Sequence, residues 1–152
     1  MWTIKPYTKD RIPDVLAFEQ QLRQEEDVWG WDIDDAYIHS VQSSFDDPRF
    51  QDSVSLLAYN EKGSIVGRID STIVPSHFDG SVKAYLDWIC VLKSARHQGV
   101  AQALMEALRK RLKSEGIDTL IGLTAANEEA QRFYSHLPDS MMRDIGIWIN
   151  VK

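Results

Sequence analysis

One stretch limits the folds open to this chain more than any other. Lys83 to Leu92 carries Tyr85, Leu86, Trp88, Ile89 and Val91, an apolar run that reads as a strand buried on both faces. Gly99 to Glu115 reads as a helix: Val100, Leu104, Leu108 and Leu112 form one stripe, widened by Ala101 and Met105. Arg109, Lys110, Arg111 and Lys113 crowd its last turns, where the helix dipole favours cations, and Gly116 suits the left-handed residue that ends such a helix. Thr119 to Thr124 is a second, short apolar strand. A helix of this length between two strands is long enough for a crossover, so the strands are expected to be parallel neighbours.

The rest of the chain adds antiparallel structure. Trp2 to Tyr7 reads as a short strand. Arg11 to Arg23 reads as a helix with Ile12, Val15, Leu16 and Leu22 at helical spacing and Pro13 in its first turn. Asp34 caps a second helix with Ile38, Val41 and Phe45 on one side, and Pro48 lies beyond its end. Val54 to Tyr59 and Ser64 to Val74 are strands joined by a hairpin turn at Asn60-Glu61-Lys62-Gly63, and Pro75 to Gly80 is a further turn. Asn127 caps a last helix, on which Ala130, Phe133, Tyr134 and Leu137 share a face before Pro138 stops it. Asp144 to Val151 reads as a closing strand. The expectation is a mixed α/β (α+β) fold: a mostly antiparallel central sheet, helices on both faces and one parallel strand pair. The 152 residues suggest one domain, 1–152, without internal repeats.

Composition removes several function classes. A net charge of −6 argues against a broad nucleic-acid surface. No apolar run approaches the roughly 20 residues that span a bilayer, and Met1-Trp2-Thr3-Ile4-Lys5-Pro6 lacks a signal-peptide pattern. Cys90 is the only cysteine, so no internal disulfide points to an oxidising compartment. A soluble cytoplasmic protein, with no nucleic-acid or membrane partner, is the expectation.

A strand running into a glycine turn that opens a helix makes an anion site. The first N–H groups of a helix have no intrahelical acceptors, and the dipole adds positive character. Gly99 lets backbone approach a pyrophosphate closely, and Ala101 is the next smallest choice. Arg96 and His97 could add donors or charge. The plainer alternative is that Gly99 only makes a turn and Arg96 is solvated.

Cys90-Val91-Leu92-Lys93-Ser94-Ala95-Arg96-His97-Gln98-Gly99-Val100-Ala101-Gln102-Ala103-Leu104 resembles the central motif of the GNAT superfamily of N-acetyltransferases. In that motif arginine or glutamine, two residues, glycine, one residue and then glycine or alanine follow a hydrophobic strand. Asn127-Glu128-Glu129-Ala130-Gln131-Arg132-Phe133-Tyr134 is similar to the family's asparagine, alanine, phenylalanine-tyrosine helix. The element order agrees over essentially the whole chain. The resemblance implies an acetyl-CoA cosubstrate and no metal. It implies a pyrophosphate on the N–H groups of His97, Gln98, Gly99, Val100, Ala101 and Gln102, near Arg96. Pantetheine would pair with the backbone of Ile89, Cys90 and Val91, where the two parallel strands splay apart, and Asn127 would bond it or a nearby backbone group. Tyr134 matches the tyrosine that protonates the departing CoA thiolate, and its plainer role is a core aromatic beside Phe133. Two departures stand out. Leu137-Pro138-Asp139-Ser140-Met141-Met142 replaces the glycine-phenylalanine often found after the last helix, and His97 replaces the commoner glycine or arginine.

Amine acetylation needs a neutral amine, so a base or a water path must take its proton. Asp87 lies on the strand before the loop, near where the family often carries a glutamate. Flanking Leu86 and Trp88 would desolvate it. Cys90 invites a nucleophile reading, but a cysteine inside an apolar strand is more often an inert core residue. His39, His77, His97 and His136 show no metal-ligand spacing with one another or with Cys90. The segment Glu25-Glu26-Asp27-Val28-Trp29-Gly30-Trp31-Asp32-Ile33-Asp34-Asp35 falls where the family commonly builds its acceptor pocket. Carboxylates and the faces of Trp29 and Trp31 attract cations, which suits a small cationic amine. The alternatives are acetylation of a protein N-terminus or lysine, so that the acceptor is a peptide, and a non-catalytic domain that senses acyl-CoA. A homodimer is compatible with the sequence.

Overall fold

The structure, a computed structural model, describes residues 1–26 and 32–151. The chain divides into two compact units, residues 1–121 and residues 122–152. The elements run β1 (Thr3–Pro6), α1 (Ile12–Glu25), α2 (Asp35–Ser44), β2 (Ser53–Tyr59), β3 (Ile65–Pro75), β4 (Val82–Val91), α3 (Val100–Ser114), β5 (Leu120–Gly122) and α4 (Glu128–Ser135).

The strands form one sheet in the order β1-β2-β3-β4-β5. The first three pairings are antiparallel, and β5, reached through α3, runs parallel to β4. The hairpin between β2 and β3 closes on Asn60, whose Oδ1 accepts from the N–H groups of Lys62 and Ser64 at 3.0 and 2.9 Å. This is the mixed, mostly antiparallel arrangement that the hairpins and the crossover require.

Side chains alternate across the sheet, and that places helices on both faces. Gly67 of β3 meets Val100 and Leu104 of α3. Arg68, the next residue, reaches Glu19 of α1 from the other face. Under α3 the core is apolar: Val100, Leu104, Met105, Leu108 and Leu112 are all buried, on the sheet face that carries Ile69 and Leu56. A Schellman motif ends α3. The Ile117 N–H donates to the Leu112 carbonyl at 3.0 Å, and the Gly116 N–H donates to the Lys113 carbonyl at 3.1 Å. Gly116 has φ 75°, and Ile117 is buried.

Close approach of α3 to the sheet depends on Gly67. A Cβ built there would lie 2.9 Å from Val100 Cγ1 and 3.2 Å from the Cys90 carbonyl. Gly67→Ala is therefore expected to cost about 1–3 kcal/mol by overpacking, measured as a shift in the denaturant midpoint at constant m.

Two expectations fail. Residues 139–151 form neither strand nor helix, so the closing strand at 144–151 is absent; Ile145, Ile147, Trp148, Ile149 and Val151 are exposed. Nor is β4 buried on both faces throughout: Ala84, Leu86 and Val91 are buried, Asp87 is exposed, and Trp88, Ile89 and Cys90 are half-buried. Among the described residues no helix is long and apolar enough to cross a membrane.

Candidate active site

The site begins where β4 outruns its parallel neighbour. The Ala84 N–H donates to the Thr119 carbonyl at 2.9 Å, just before β5 begins. β5 has only 3 residues and β4 has 10, so the C-terminal half of β4 extends beyond that pairing. Ile89, Cys90 and Val91 lie in this half. A strand edge without a neighbour carries N–H and carbonyl groups suited to an added strand-like amide chain.

β4 is also irregular there. Asp70 of β3 faces Trp88, and Ser71 faces Leu86, so Asp87 is the extra residue of a β-bulge. Bulges re-aim side chains and locally end regular pairing. Asp87 is exposed on this bulge, so Leu86 and Trp88 do not desolvate it as the sequence led us to expect.

After β4 the chain makes a 3₁₀ turn at Lys93–Ala95 and a loop into α3. His97 has φ 59° and Gly99 has φ 82°, two left-handed residues within three positions. Such backbone gathers successive N–H groups into one concavity, and α3 adds the unsatisfied N–H groups of its first turn, Val100, Ala101 and Gln102. A Cβ added at Gly99, the N-cap, would meet nothing within 4 Å. The mouth of the concavity is therefore open at the glycine. A diphosphate fits this donor set, which is backbone N–H at a helix N-terminus. Gln98 and Gln102 are exposed beside it. Arg96 does not project alone into the mouth: its Nη2 donates to Glu26 Oε1 at 2.8 Å, and its Nε donates to the Val91 carbonyl at 3.4 Å.

The sheet face toward α1 carries a charge cluster that sequence reasoning missed. Arg68 Nη1 lies 2.9 Å from Glu19 Oε1, and its Nε lies 2.7 Å from Asp70 Oδ2. The Tyr37 hydroxyl of α2 donates to Glu19 at 2.9 Å. Arg68 faces Cys90 across the β3–β4 pairing and Asp70 faces Trp88, so the cluster adjoins the irregular part of β4. Two carboxylates share the Arg68 guanidinium, and Arg23 adds a second positive charge acting on Glu19. Burial pushes the Glu19 carboxyl above its ordinary range, against the pull of Arg68. An isolated Glu on α1 and an Arg-x-Asp on a strand carry no local signal of this pairing, since Arg68 and Glu19 are separated by 49 residues.

Burial pushes the Cys90 thiol up to about 12. A thiol that stays protonated at neutral pH is a poor nucleophile, in keeping with the inert reading.

In residues 122–152, Asn127 caps α4 by accepting from the Ala130 N–H at 2.8 Å. Its amide nitrogen is not used by this cap. Tyr134 is half-buried, packs edge-on against Phe133 at 5.2 Å, and has its phenol pushed above its ordinary value by burial. It therefore stays protonated through neutral pH, as a proton donor must. Trp29 and Trp31 lie outside the described residues. Of the acidic residues flanking them, Asp34 caps α2 by accepting from the Tyr37 N–H at 2.8 Å, and Asp32 and Asp35 are exposed.

The sequence profile of the acetyltransferase (GNAT) family matches residues 15–137. Solved structures share the fold at low identity. An aminoglycoside acetyltransferase from an uncultured soil metagenomic sample, in complex with sisomicin, is 16% identical, with 99% of this chain and 97% of that one covered and a TM-score of 0.81. AAC(6')-Iy in complex with the bisubstrate analogue CoA-S-monomethyl-acetylneamine is 20% identical, with coverages of 99% and 98% and a TM-score of 0.76. Ribosomal-protein-alanine N-acetyltransferase from Brucella melitensis biovar Abortus 2308 is 15% identical, with coverages of 99% and 98% and a TM-score of 0.74. No curated protein matches the chain in sequence.

Proposed function

This chain belongs to the acetyltransferase (GNAT) family, and we propose that it moves an acetyl group from acetyl-CoA to a primary amine of a small cationic acceptor. The observation that carries the reading is the loop at the end of β4, with left-handed Gly99 opening α3. Its N–H groups from His97 to Gln102 would hold the pyrophosphate. Pantetheine would add to the β4 edge at Ile89, Cys90 and Val91, with Asn127 as a further partner. Acetyl-CoA would supply the activated acyl group, and residues 1–152 would make up one acetyltransferase domain.

The chemistry assigns two further roles. The neutral amine attacks the thioester carbonyl carbon, the C–N bond forms, and the C–S bond breaks. Asp87, exposed on the bulge of β4, takes a proton from the acceptor ammonium before the nitrogen attacks, through a water where the short side chain does not reach. The second proton, which the nitrogen loses after attack, balances the one given to the thiolate. Tyr134 donates a proton to the departing thiolate. Asp87→Asn is expected to lower turnover roughly 10- to 100-fold at neutral pH. The loss should shrink as the pH nears about 10, where a typical amine needs no base. A pH-independent deficit in initial rates would remove Asp87 from the base role.

Support for a cationic acceptor comes from charge. The net charge is −6, and on the sheet beside Trp88 the Arg68 guanidinium is shared by Asp70 and by Glu19 of α1. Trp29 and Trp31 are the proposed aromatic contacts. Two of the solved relatives in the same fold are named for aminoglycoside or acetylneamine complexes, and one for ribosomal-protein alanine. A panel of polyamines, aminoglycosides and N-terminal peptides, followed by free-thiol release, tests the acceptor class. Faster turnover of the small cations is expected. Preference for the peptides would move the assignment to protein acetylation.

A further inference from the structure

The loop before α3 is tied to the N-terminal part of the chain at alternate residues. Ser94 is bound twice by one carboxylate: its N–H donates to Glu25 Oε2 at 2.9 Å, and its hydroxyl donates to Oε1 at 2.8 Å. Gln21, one turn earlier on α1, donates to the same Oε1 at 2.9 Å and orients it. Arg96 is held by Glu26 at 2.8 Å. The Gln98 carbonyl accepts from the Trp2 indole N–H at 3.0 Å, and the Gln98 side chain donates to the Ser94 carbonyl at 3.2 Å.

Two adjacent carboxylates beside a pyrophosphate loop run against simple charge complementarity. They hold different things, however. Glu25 holds backbone and a hydroxyl, and the hydrogen bonds, first that of the Ser94 N–H, keep its carboxyl below the ordinary range. It is ionised at neutral pH and acts as a cap supplied from α1 to the 3₁₀ turn at Lys93–Ala95. Glu26 instead holds Arg96, the guanidinium that the motif places nearest the phosphate loop.

We infer that these neighbouring acids act in opposite senses on CoA binding: Glu25 is a positioning residue that presets the loop through Ser94, and Glu26 competes with the pyrophosphate for Arg96. The inference rests on the acetyl-CoA reading of the site. With Glu25 in place, the loop carries little ordering cost when the pyrophosphate arrives. With Glu26 in place, part of the Arg96 interaction is spent on releasing an existing ion pair. That pair is only partly buried, at 26% and 29% side-chain exposure, so it can exchange.

Isothermal titration of CoA into the full chain, at one fixed salt concentration, separates these roles. Glu25→Ala is expected to raise the Kd roughly tenfold, the loss of a charge-assisted hydrogen-bond pair. Glu25→Gln, which keeps one acceptor oxygen, is expected to raise it less. Glu26→Ala is expected to lower the Kd, by roughly two- to fivefold for a partly exposed pair. Thermal midpoints without ligand should stay near wild type for all three. Removing negative charge alone would tighten binding in both positions, and a merely structural role would weaken it in both. Either same-sign result overturns the inference. If wild type binds CoA and the shifts share a sign, the acetyl-CoA reading survives and the inference does not. If wild type binds no CoA, both are lost.

Discussion

Gly99→Val is expected to abolish measurable CoA binding, lowering affinity on the order of 10²-fold or more. Two causes act together. Gly99 has φ 82°, a left-handed conformation that a β-branched residue adopts only with strain, so the N–H groups around it would turn away from their shared focus. The space beyond its missing Cβ is open, and a branched side chain would occupy the approach of the pyrophosphate. Losing two hydrogen bonds to a charged group, each worth about 1.5–3 kcal/mol, accounts for the size of the effect. Gly99→Asn serves as the control for backbone strain, since asparagine tolerates left-handed φ. It should keep the fold and still weaken binding, because the added side chain stands at the mouth. Unchanged affinity in both folded variants would show that the loop does not hold the cosubstrate.

Tyr134→Phe is expected to lower the rate of the chemical step by roughly 10²–10⁴-fold while leaving CoA affinity nearly unchanged. The aromatic contact with Phe133 at 5.2 Å needs the ring and not the hydroxyl, so stability should change little. Burial raises the phenol above its ordinary value, which sets the sign of the pH dependence. The proton-bearing form persists across neutral pH and is lost only above the ordinary tyrosine value near 10. Wild-type turnover should therefore show no alkaline fall from this group below about pH 10. Single-turnover measurement is needed, because slow product release would hide a chemical defect. A folded Tyr134→Phe variant with a wild-type chemical rate would leave water or another side chain as the acid.

How much of this was legible in the sequence follows from how local each signal is. The α3 stripe, Gly116 and the caps at Asp34 and Asn127 are local: each needs only neighbours within a turn, and each is found where its pattern puts it. Gly99 is local too, because its conformation and the start of α3 fall within two residues. Strand properties depend on partners. The alternation from Ile145 to Val151 has the period of a strand, yet no strand forms there, since a strand exists only through pairing. The apolar run of β4 suggested burial on both faces, but Asp87 is exposed on its bulge and Trp88, Ile89 and Cys90 are half-buried. The bulge at Asp87 follows from the register against β3, which no window of β4 alone can show.

Charges were the least legible. Glu25 and Glu26 stand in an acidic segment that composition assigns to a cationic acceptor. Their partners, Ser94 and Arg96, lie 69 and 70 residues away, in the loop before α3. Glu19, Arg68 and Asp70 likewise meet only after α1 has docked on the sheet. A buried cluster of this kind costs desolvation, and its members are tolerated only when each has a partner. The cluster's place beside Trp88 and Cys90 follows from the β3–β4 register, which its sequence positions did not suggest.

The central claim, acetyl transfer from CoA to an amine through the Gly99 loop, is tested most directly by incubating the chain with acetyl-CoA and the amine panel while following free thiol and the acetylated amine together. The account expects saturable, amine-dependent thiol release matched one-for-one by acetyl amide, and loss of both with Gly99→Val. CoA binding without acetyl amide on any amine or peptide would contradict it and leave a domain that senses acyl-CoA.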